Sequence, residues 1–337
     1  MKNLRISSIR QHKGQFIFLL ALLAGCAALL SLSVGAVWVS PGEILAALFG
    51  DTDTAAARIF FYARLPRTCG CLMAGMALAV SGAVIQSVLA NPLAAPNIIG
   101  VNSGAGLMVA LSCALMPQSA AVLPVMAFLG ALAGVMLVLF LAERTGAARI
   151  TLVLAGVAVS SMFSAGIDAV VTFVPDALNG YSDFRIGGLE NLSMTRLWPA
   201  VCILLPALAG CLFLGSEMDV LLLGSDTARS LGLNVGRTRL ILLTLAAALA
   251  GSAVSFCGLL GFVGLIVPHI MRRLVGEESR TLISACALGG ALLLTVCDVL
   301  ARTVVAPYEL SVGIVLALLG GPFFIWLLLR QRGGRSA

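Results

Sequence analysis

Long runs of apolar residues, separated by short polar stretches, occupy almost the whole chain. Soluble helices and strands alternate apolar and polar positions, whereas these runs stay apolar for about 20 residues, the length that crosses a bilayer as a helix. The pattern predicts an all-α polytopic integral membrane protein with about ten transmembrane helices. Their expected bounds are 16–38, 66–89, 99–116, 120–142, 150–172, 197–215, 239–260, 262–275, 281–303 and 310–329.

Composition agrees with a membrane protein. Of the 337 residues, 60% are hydrophobic and 11% are charged, whereas a soluble domain carries about 25% charged residues. The polar stretches are too short for a separate soluble domain, so residues 1–337 are expected to form one transmembrane domain. The first apolar run, 16–38, could be a signal peptide, but its length and the lack of a cleavage site favour a membrane helix.

The basic residues predict the orientation, because Lys and Arg concentrate in cytoplasmic loops. With both termini in the cytoplasm, 15 of the 21 basic residues fall inside and 6 outside. The inner set is Lys2, Arg5, Arg10, Lys13, Arg144, Arg149, Arg229, Arg237, Arg239, Arg272, Arg273, Arg280, Arg330, Arg332 and Arg335. The outer set is Arg58, Arg64, Arg67, Arg185, Arg196 and Arg302.

Small residues four positions apart predict close helix packing at Gly100/Gly104 and Gly130/Gly134. The nine cysteines lie in or beside apolar runs and are interpreted as small hydrophobic residues. Only two histidines occur, and no Cys/His cluster has the spacing of a metal site, so no metal and no cofactor is expected. No nucleophile–base pair suggests an intramembrane enzyme, and nothing suggests nucleic-acid binding.

Four segments carry a resemblance to a known family. They are RLPRTCGCLMAGMALAVSGAVIQSVLANPLAAPNIIGVNSGAG from Arg64, GFVGLIVPHIMRRLVG from Gly261, CDVLAR from Cys297 and VGIVLALLGGPFFIWLL from Val312. In this order they resemble the membrane-spanning permease subunit of ABC importers for iron-siderophores, haem and cobalamin (FecCD/BtuC-like, type II). The resemblance implies a bacterial inner-membrane protein that works with an ABC ATPase in two copies, a substrate-binding protein and a second permease copy, identical or paralogous.

Three arginines stand on the outer side. Arg64 and Arg67 share one face at a helix start, and Arg302 follows Asp298 by four residues, a spacing that permits an ion pair within one helix. They could be interfacial anchors or a docking surface for an acidic partner. The resemblance implies the second role for Arg64, Arg67 and Arg302, as arginines that grip carboxylates of the substrate-binding protein.

On the inner side, the polar segment 215–239 predicts a short helix outside the bilayer. Ser225 and Asp226 are expected as its N-cap residues and Gly232 as its stop. The pattern resembles the family's coupling loop, which seats in a groove of the ATPase. The residues that the resemblance assigns to coupling are Leu223, Gly224, Ser225, Ala228, Leu231 and Gly232.

The predicted second helix is broken at Asn91 and Pro92, and the resemblance assigns Asn91 and Leu93 to a cytoplasmic gate. Gln86, one turn earlier, could line the pathway or hydrogen-bond to another helix. Asp168 is a carboxylate inside the fifth span and a candidate pathway residue, with structural pairing as the alternative.

Arg185 and Glu190 depart from the family's usual residues, so the sequence leaves the identity of the chelate open. The histidine at a helix break, His269, is interpreted as structural.

The only lysines are Lys2 and Lys13, so the chain cannot form a P-loop and is expected to be no enzyme. Together these observations predict the permease subunit of an ATP-driven importer of an iron chelate, haem or cobalamin. The alternative is an ion- or proton-coupled secondary transporter, with Asp168 and Asp298 as its relay.

Overall fold

The computed structural model describes residues 13–35, 37–50, 54–117, 119, 121–144, 149–190 and 192–332. Within these ranges the chain is helical and has no strand. The helices are α1 (Lys13–Ser33), α2 (Pro41–Leu48), α3 (Ala55–Ile59), α4 (Leu65–Leu89), α5 (Val101–Leu115), α6 (Val122–Arg144), α7 (Arg149–Phe173), α8 (Ala177–Ile186), α9 (Met194–Phe213), α10 (Gly215–Leu222), α11 (Ser225–Ser230), α12 (Val235–Cys257), α13 (Val263–Val275), α14 (Ser279–Thr303) and α15 (Val312–Arg332).

The predicted class, an all-α polytopic membrane protein, is confirmed. Seven described helices are long and apolar enough to span a membrane, and Val101–Leu115 and Val312–Ile325 are shorter apolar helices. The basic residues Lys2, Arg5, Arg10 and Arg335 lie outside the described residues, and of Arg149, Arg330 and Arg332 only the backbone is described.

The predicted second span, 66–89, coincides with α4 to within one residue. The sequence did not predict that the helical stretch starts earlier, at Ala55, and reaches α4 through a π-helical turn at Phe60–Arg64. Pro66 has no N–H for the usual helical bond, so a wider turn just before it is a natural adjustment. The short helix α2 was missed, although its capping box of Ser40 and Glu43 is a readable start signal.

α4 is the central helix of the bundle and packs against α14, α12 and α13. Its small residues permit very close approach: a Cβ added at Gly75 would lie 2.2 Å from the Gly290 carbonyl oxygen, and one at Gly82 would lie 2.0 Å from that of Gly264. The predicted glycine pairs behave alike, because a Cβ at Gly104 would lie 2.2 Å from the oxygen of Gly130 on α6. These pairs are therefore contacts within one chain.

α1 and α14 run parallel and are joined at both ends. Lys13 Nζ lies 2.5 Å from Glu278 Oε2 where both helices begin, and Arg302 Nη2 lies 2.7 Å from Ser31 Oγ where both end. The first end of the bundle is called the Lys13 end and the second the Asp298 end. At the Lys13 end, hydrogen bonds from Lys13 and Thr281 lower the pKa of Glu278.

Candidate functional site

A cluster of buried charges occupies the Asp298 end. Asp298 is fully buried, and its carboxylate oxygens lie 2.9 Å from Arg67 Nε and 2.9 Å from Arg302 Nη2. Arg67 Nη1 also lies 2.6 Å from Glu309 Oε2, whose side chain is 33% exposed. These four residues and Arg64 are called the Asp298 cluster. The cluster thus contains three guanidiniums and two carboxylates, so it keeps an excess positive charge.

Two members of the cluster bind the end of α1. Arg302 Nη1 donates to the Val34 carbonyl oxygen at 3.1 Å, and Arg64 donates to that oxygen and, at 2.6 Å, to the oxygen of Val37. The last carbonyls of a helix have no partner inside it and carry partial negative charge, so they suit guanidinium donors. A Cβ at Gly35 would lie 2.5 Å from Arg64 Nη2, so a larger residue there would displace this guanidinium from the carbonyls of α1.

The predicted ion pair between Asp298 and Arg302 is therefore present. The three arginines differ, however, from freely exposed groups at an outer mouth, since Arg64 and Arg67 are 6% exposed and Arg302 is 2% exposed. The buried Asp298 carboxylate and the carbonyls of α1 draw the guanidiniums inward. Sequence reasoning missed Glu309, which is distant from Arg67 in the chain and has no local signal.

The predicted coupling segment forms two short helices, α10 and α11, at the Lys13 end. Each is followed by a Leu-Gly pair in which the leucine is exposed and the glycine has a positive φ, 106° for Gly224 and 85° for Gly232. Leu223 and Leu231 are 62% and 64% exposed, whereas Ala228 between them is fully buried. The segment thus exposes two apolar side chains, each at a tight turn that follows a short helix.

Gly232 ends α11 as expected. Its N–H donates to the Arg229 oxygen at 2.9 Å, and the next N–H, of Leu233, donates to the Ala228 oxygen at 3.0 Å, the pattern of a Schellman motif. The N-cap prediction was wrong, because Gly224 holds that position and Ser225 is the first helical residue. The Ser225 hydroxyl instead accepts a hydrogen bond from Arg239 at 2.8 Å.

The helix break after α4 is a tight turn. Ala90 has a φ of 47°, and Asn91 Oδ1 accepts a hydrogen bond from the Leu93 N–H at 3.0 Å. Asn91 and Leu93 are half-buried, whereas Gln86 is 2% exposed and donates to the Gly264 oxygen at 3.3 Å. The geometry therefore favours the interhelical alternative for Gln86 over a lining role in this conformation.

Asp168 lies on an exposed face of α7. Ser161, Ser164, Asp168 and Thr172 are all exposed and follow one another at spacings of three and four, so they form one polar stripe. No salt bridge joins Asp168 to another described residue. The pairing alternative thus finds no partner within the described part of this chain.

Arg185 is also exposed, near the end of α8, and so is Glu190 in the following loop. His269 packs edge-on against Phe323, with ring centroids 6.2 Å apart, but its buried Nε2 has no hydrogen-bond partner among the described residues, so the hydrogen bond expected of a structural histidine is not seen at that atom. Among the described residues, no group of three or more His, Cys, Asp or Glu side chains could hold a metal ion.

The long apolar helices of this bundle define a polytopic membrane protein. The profile of the FecCD transport family matches residues 20–330, and the chain belongs to that family.

Individual proteins that resemble this chain are consistent with the family assignment. The chain is 40% identical to the hemin transport system permease protein HmuU of Yersinia pestis, over 85% of this chain and 87% of that protein. It is 39% identical to the Fe(3+) dicitrate transport system permease protein FecD of Escherichia coli, over 94% and 98%. A solved structure of a metal-chelate type ABC transporter in an inward-facing conformation superposes with a TM-score of 0.83 at 27% identity, covering 94% of this chain and 99% of that one.

Proposed function

We propose that this chain is the permease subunit of an ABC importer. The observation that carries the proposal is the α10–α11 segment at the Lys13 end. Its exposed Leu223 and Leu231 form an apolar surface that another protein can contact. A soluble partner can cover such side chains, and an ATPase groove is the partner that the family membership favours. The chain has no P-loop lysine of its own, so a separate polypeptide hydrolyses ATP.

The proposed topology is ten crossings with both termini in the cytoplasm of a bacterial inner membrane. α13 supplies the eighth crossing with only 13 residues, because the preceding residues 258–262 are not helical. The Lys13 end also carries Arg144, the coupling segment and Arg272, and this positive charge supports a cytoplasmic assignment. In this arrangement the Asp298 end faces outward.

The proposed assembly has two permease copies, identical or paralogous, above two ATPases. The exposure of α7 supports a pathway between the copies. Only 22% of its most apolar stretch is buried within one chain, and its exposed face carries Asp168. A carboxylate facing lipid costs up to about 3 kcal/mol, so this stripe is better placed against water or a second subunit. Asn91 and Leu93 lie in the turn at the opposite end of the pathway and act as its gate.

The Asp298 cluster is the proposed contact for a substrate-binding protein. Its excess positive charge attracts acidic partners, and Arg67 Nη2 is buried without a hydrogen-bond partner among the described residues. Arg64 and Arg302, tied to α1, would then act mainly by fixing the surface that the partner meets.

The proposed cargo is an iron chelate or a related metal-organic nutrient, since similar proteins are named for hemin, iron-citrate and vitamin B12 transport. The rival, a proton-coupled transporter that uses Asp168 and Asp298, has less support. Asp298 is held by two guanidiniums at 2.9 Å and is suited to a structural charge rather than to carrying protons.

The test is uptake of radiolabelled iron-citrate, hemin and cobalamin into proteoliposomes. With the ATPase and the binding protein present, ATP-dependent uptake of at least one cargo is expected, and Ala228→Pro should abolish it. Proline at the buried centre of α11 removes a helix N–H and clashes with the preceding turn. Uptake driven by an ion gradient in vesicles that hold this chain alone would overturn the proposal.

A further inference from the structure

A cavity of about 890 Å³ opens at the Lys13 end, away from the charge cluster and the α7 stripe. Its walls are the last turns of α6, the first turns of α7, the helix α11 and the first turns of α12. Three long membrane helices begin or end here. The cavity therefore lies at the level where a bilayer has its headgroups.

One wall of the cavity is strongly basic. Among the described residues that line it, this wall contains Arg229 of α11 and Arg237 and Arg239 of the first turns of α12, and Glu143 is the one acid. Arg239 donates to Ser225 Oγ at 2.8 Å, which fixes it between α11 and α12. The N-terminus of α12 faces the same space and adds positive potential from its first amides. An anion is the ligand that this wall fits.

The remaining wall is apolar and continues toward the bilayer. Leu139 and Leu243 form its inner part, and Leu240 and Ile150, which are 43% and 74% exposed, form its outer edge. A free inorganic anion would use only the basic wall and leave this surface empty. A molecule with an anionic head and hydrocarbon chains covers both.

We propose that this cavity binds an anionic phospholipid from the adjacent leaflet. Its phosphate lies against Arg229, Arg237 and Arg239, and its acyl chains lie on Leu240 and Ile150 and run into the bilayer. Basic pockets between membrane helices at this depth are suited to such headgroups. Because Arg229 belongs to α11, the lipid links the coupling segment to the membrane.

The experiment is a lipid titration of the full-length purified chain followed by native mass spectrometry. Dioleoyl-phosphatidylglycerol is compared with the zwitterionic dioleoyl-phosphatidylcholine. We expect one retained phosphatidylglycerol per chain and a dissociation constant at least tenfold lower than for phosphatidylcholine. The double variant Arg229→Gln/Arg237→Gln should raise the dissociation constant for phosphatidylglycerol by roughly tenfold or more. Leu240→Ser should weaken the binding of both lipids, which tests the apolar wall separately.

The matched control is Arg144→Gln, which removes an exposed arginine from the same end that does not line the cavity and instead covers Phe140. It should leave lipid binding unchanged. Equal loss in this control and in the double variant would show a general surface charge effect and overturn the site.

Two further measurements distinguish a bound lipid from a small anion and from a contact with the ATPase. Displacement of phosphatidylglycerol by millimolar inorganic phosphate, together with no effect of Leu240→Ser, would overturn the lipid in favour of a small anion. If the ATPase expels the lipid, and the double variant loses ATPase binding, the cavity is a protein contact and the proposal fails. Retention of the lipid in the complex with the ATPase supports it.

Discussion

Arg302 Nη2 lies 2.9 Å from Asp298 Oδ2, and both side chains, one turn apart on α14, are almost completely buried. The same carboxylate binds Arg67 of α4, and the same guanidinium binds the end of α1. Three helices distant in the chain are therefore joined through one aspartate. Surface arginines would not have this effect, since exposed ion pairs contribute little to stability.

Asp298→Asn should destabilise the folded chain strongly. The change leaves Arg67 and Arg302 buried without their carboxylate, and breaking a buried pair in this way costs about 3–5 kcal/mol. Thermal unfolding in detergent measures it. Glu309→Gln is the control, because its partly exposed pair with Arg67 is worth about 1 kcal/mol or less. Equal melting temperatures for the two variants would contradict a central role of Asp298.

Leu223→Ser/Leu231→Ser should weaken binding of the ATPase without affecting folding. Both leucines are exposed, so their loss leaves no cavity in the chain, while a partner that covers them loses about 2–5 kcal/mol of apolar contact. Affinity for the ATPase in nanodiscs is the measurement. Val304→Ser, at an equally exposed apolar residue of the Asp298 end, serves as the control and should bind as the wild type does.

Asp168→Asn should reduce transport while insertion and melting temperature stay unchanged. The side chain is exposed in the single chain and makes no salt bridge with a described residue, so folding does not depend on its charge. Uptake of the identified cargo is compared with that of Asp176→Asn, an exposed acid just after α7. Wild-type uptake by Asp168→Asn would remove this residue from the pathway.

Gly104→Ala should destabilise the bundle, whereas Gly25→Ala should not. A Cβ at Gly104 would lie 2.2 Å from a backbone oxygen of α6 and force the two helices apart, but one at Gly25 meets nothing within 4 Å. In α1 the change should be neutral or stabilising by up to about 1 kcal/mol, the intrinsic difference between alanine and glycine in a helix. The expected result is a lower melting temperature for Gly104→Ala and an equal or slightly higher one for Gly25→Ala, and equal destabilisation of both variants would contradict the close contact between α5 and α6.

Arg67→Lys should weaken docking of the substrate-binding protein while preserving the charge. Lysine cannot reproduce the planar guanidinium that binds Asp298 and Glu309 together. The surface therefore keeps its positive charge but loses its geometry. Affinity is measured across a salt series, and wild-type docking should weaken as salt rises. An unchanged affinity together with a lowered melting temperature would mean that Arg67 is only a structural residue.

Local pattern determined much of this protein. Apolar run length predicted the helical membrane class, the spacing of Asp298 and Arg302 predicted their ion pair, and Gly232 predicted the end of α11. Each of these features depends on neighbours within about one helical turn or on the length of a segment. The sequence carries that information directly.

Tertiary structure decided the rest. The docking prediction pictured Arg64 and Arg67 as outer groups, but their burial depends on Asp298 and on the carbonyls of α1, which lie far away in the chain. Glu309 and the pair Gly75 and Gly290 gave no local signal, for the same reason. Whether a charged or small residue faces lipid, water or another helix is fixed by which elements pack together, and that is decided only when the whole bundle forms.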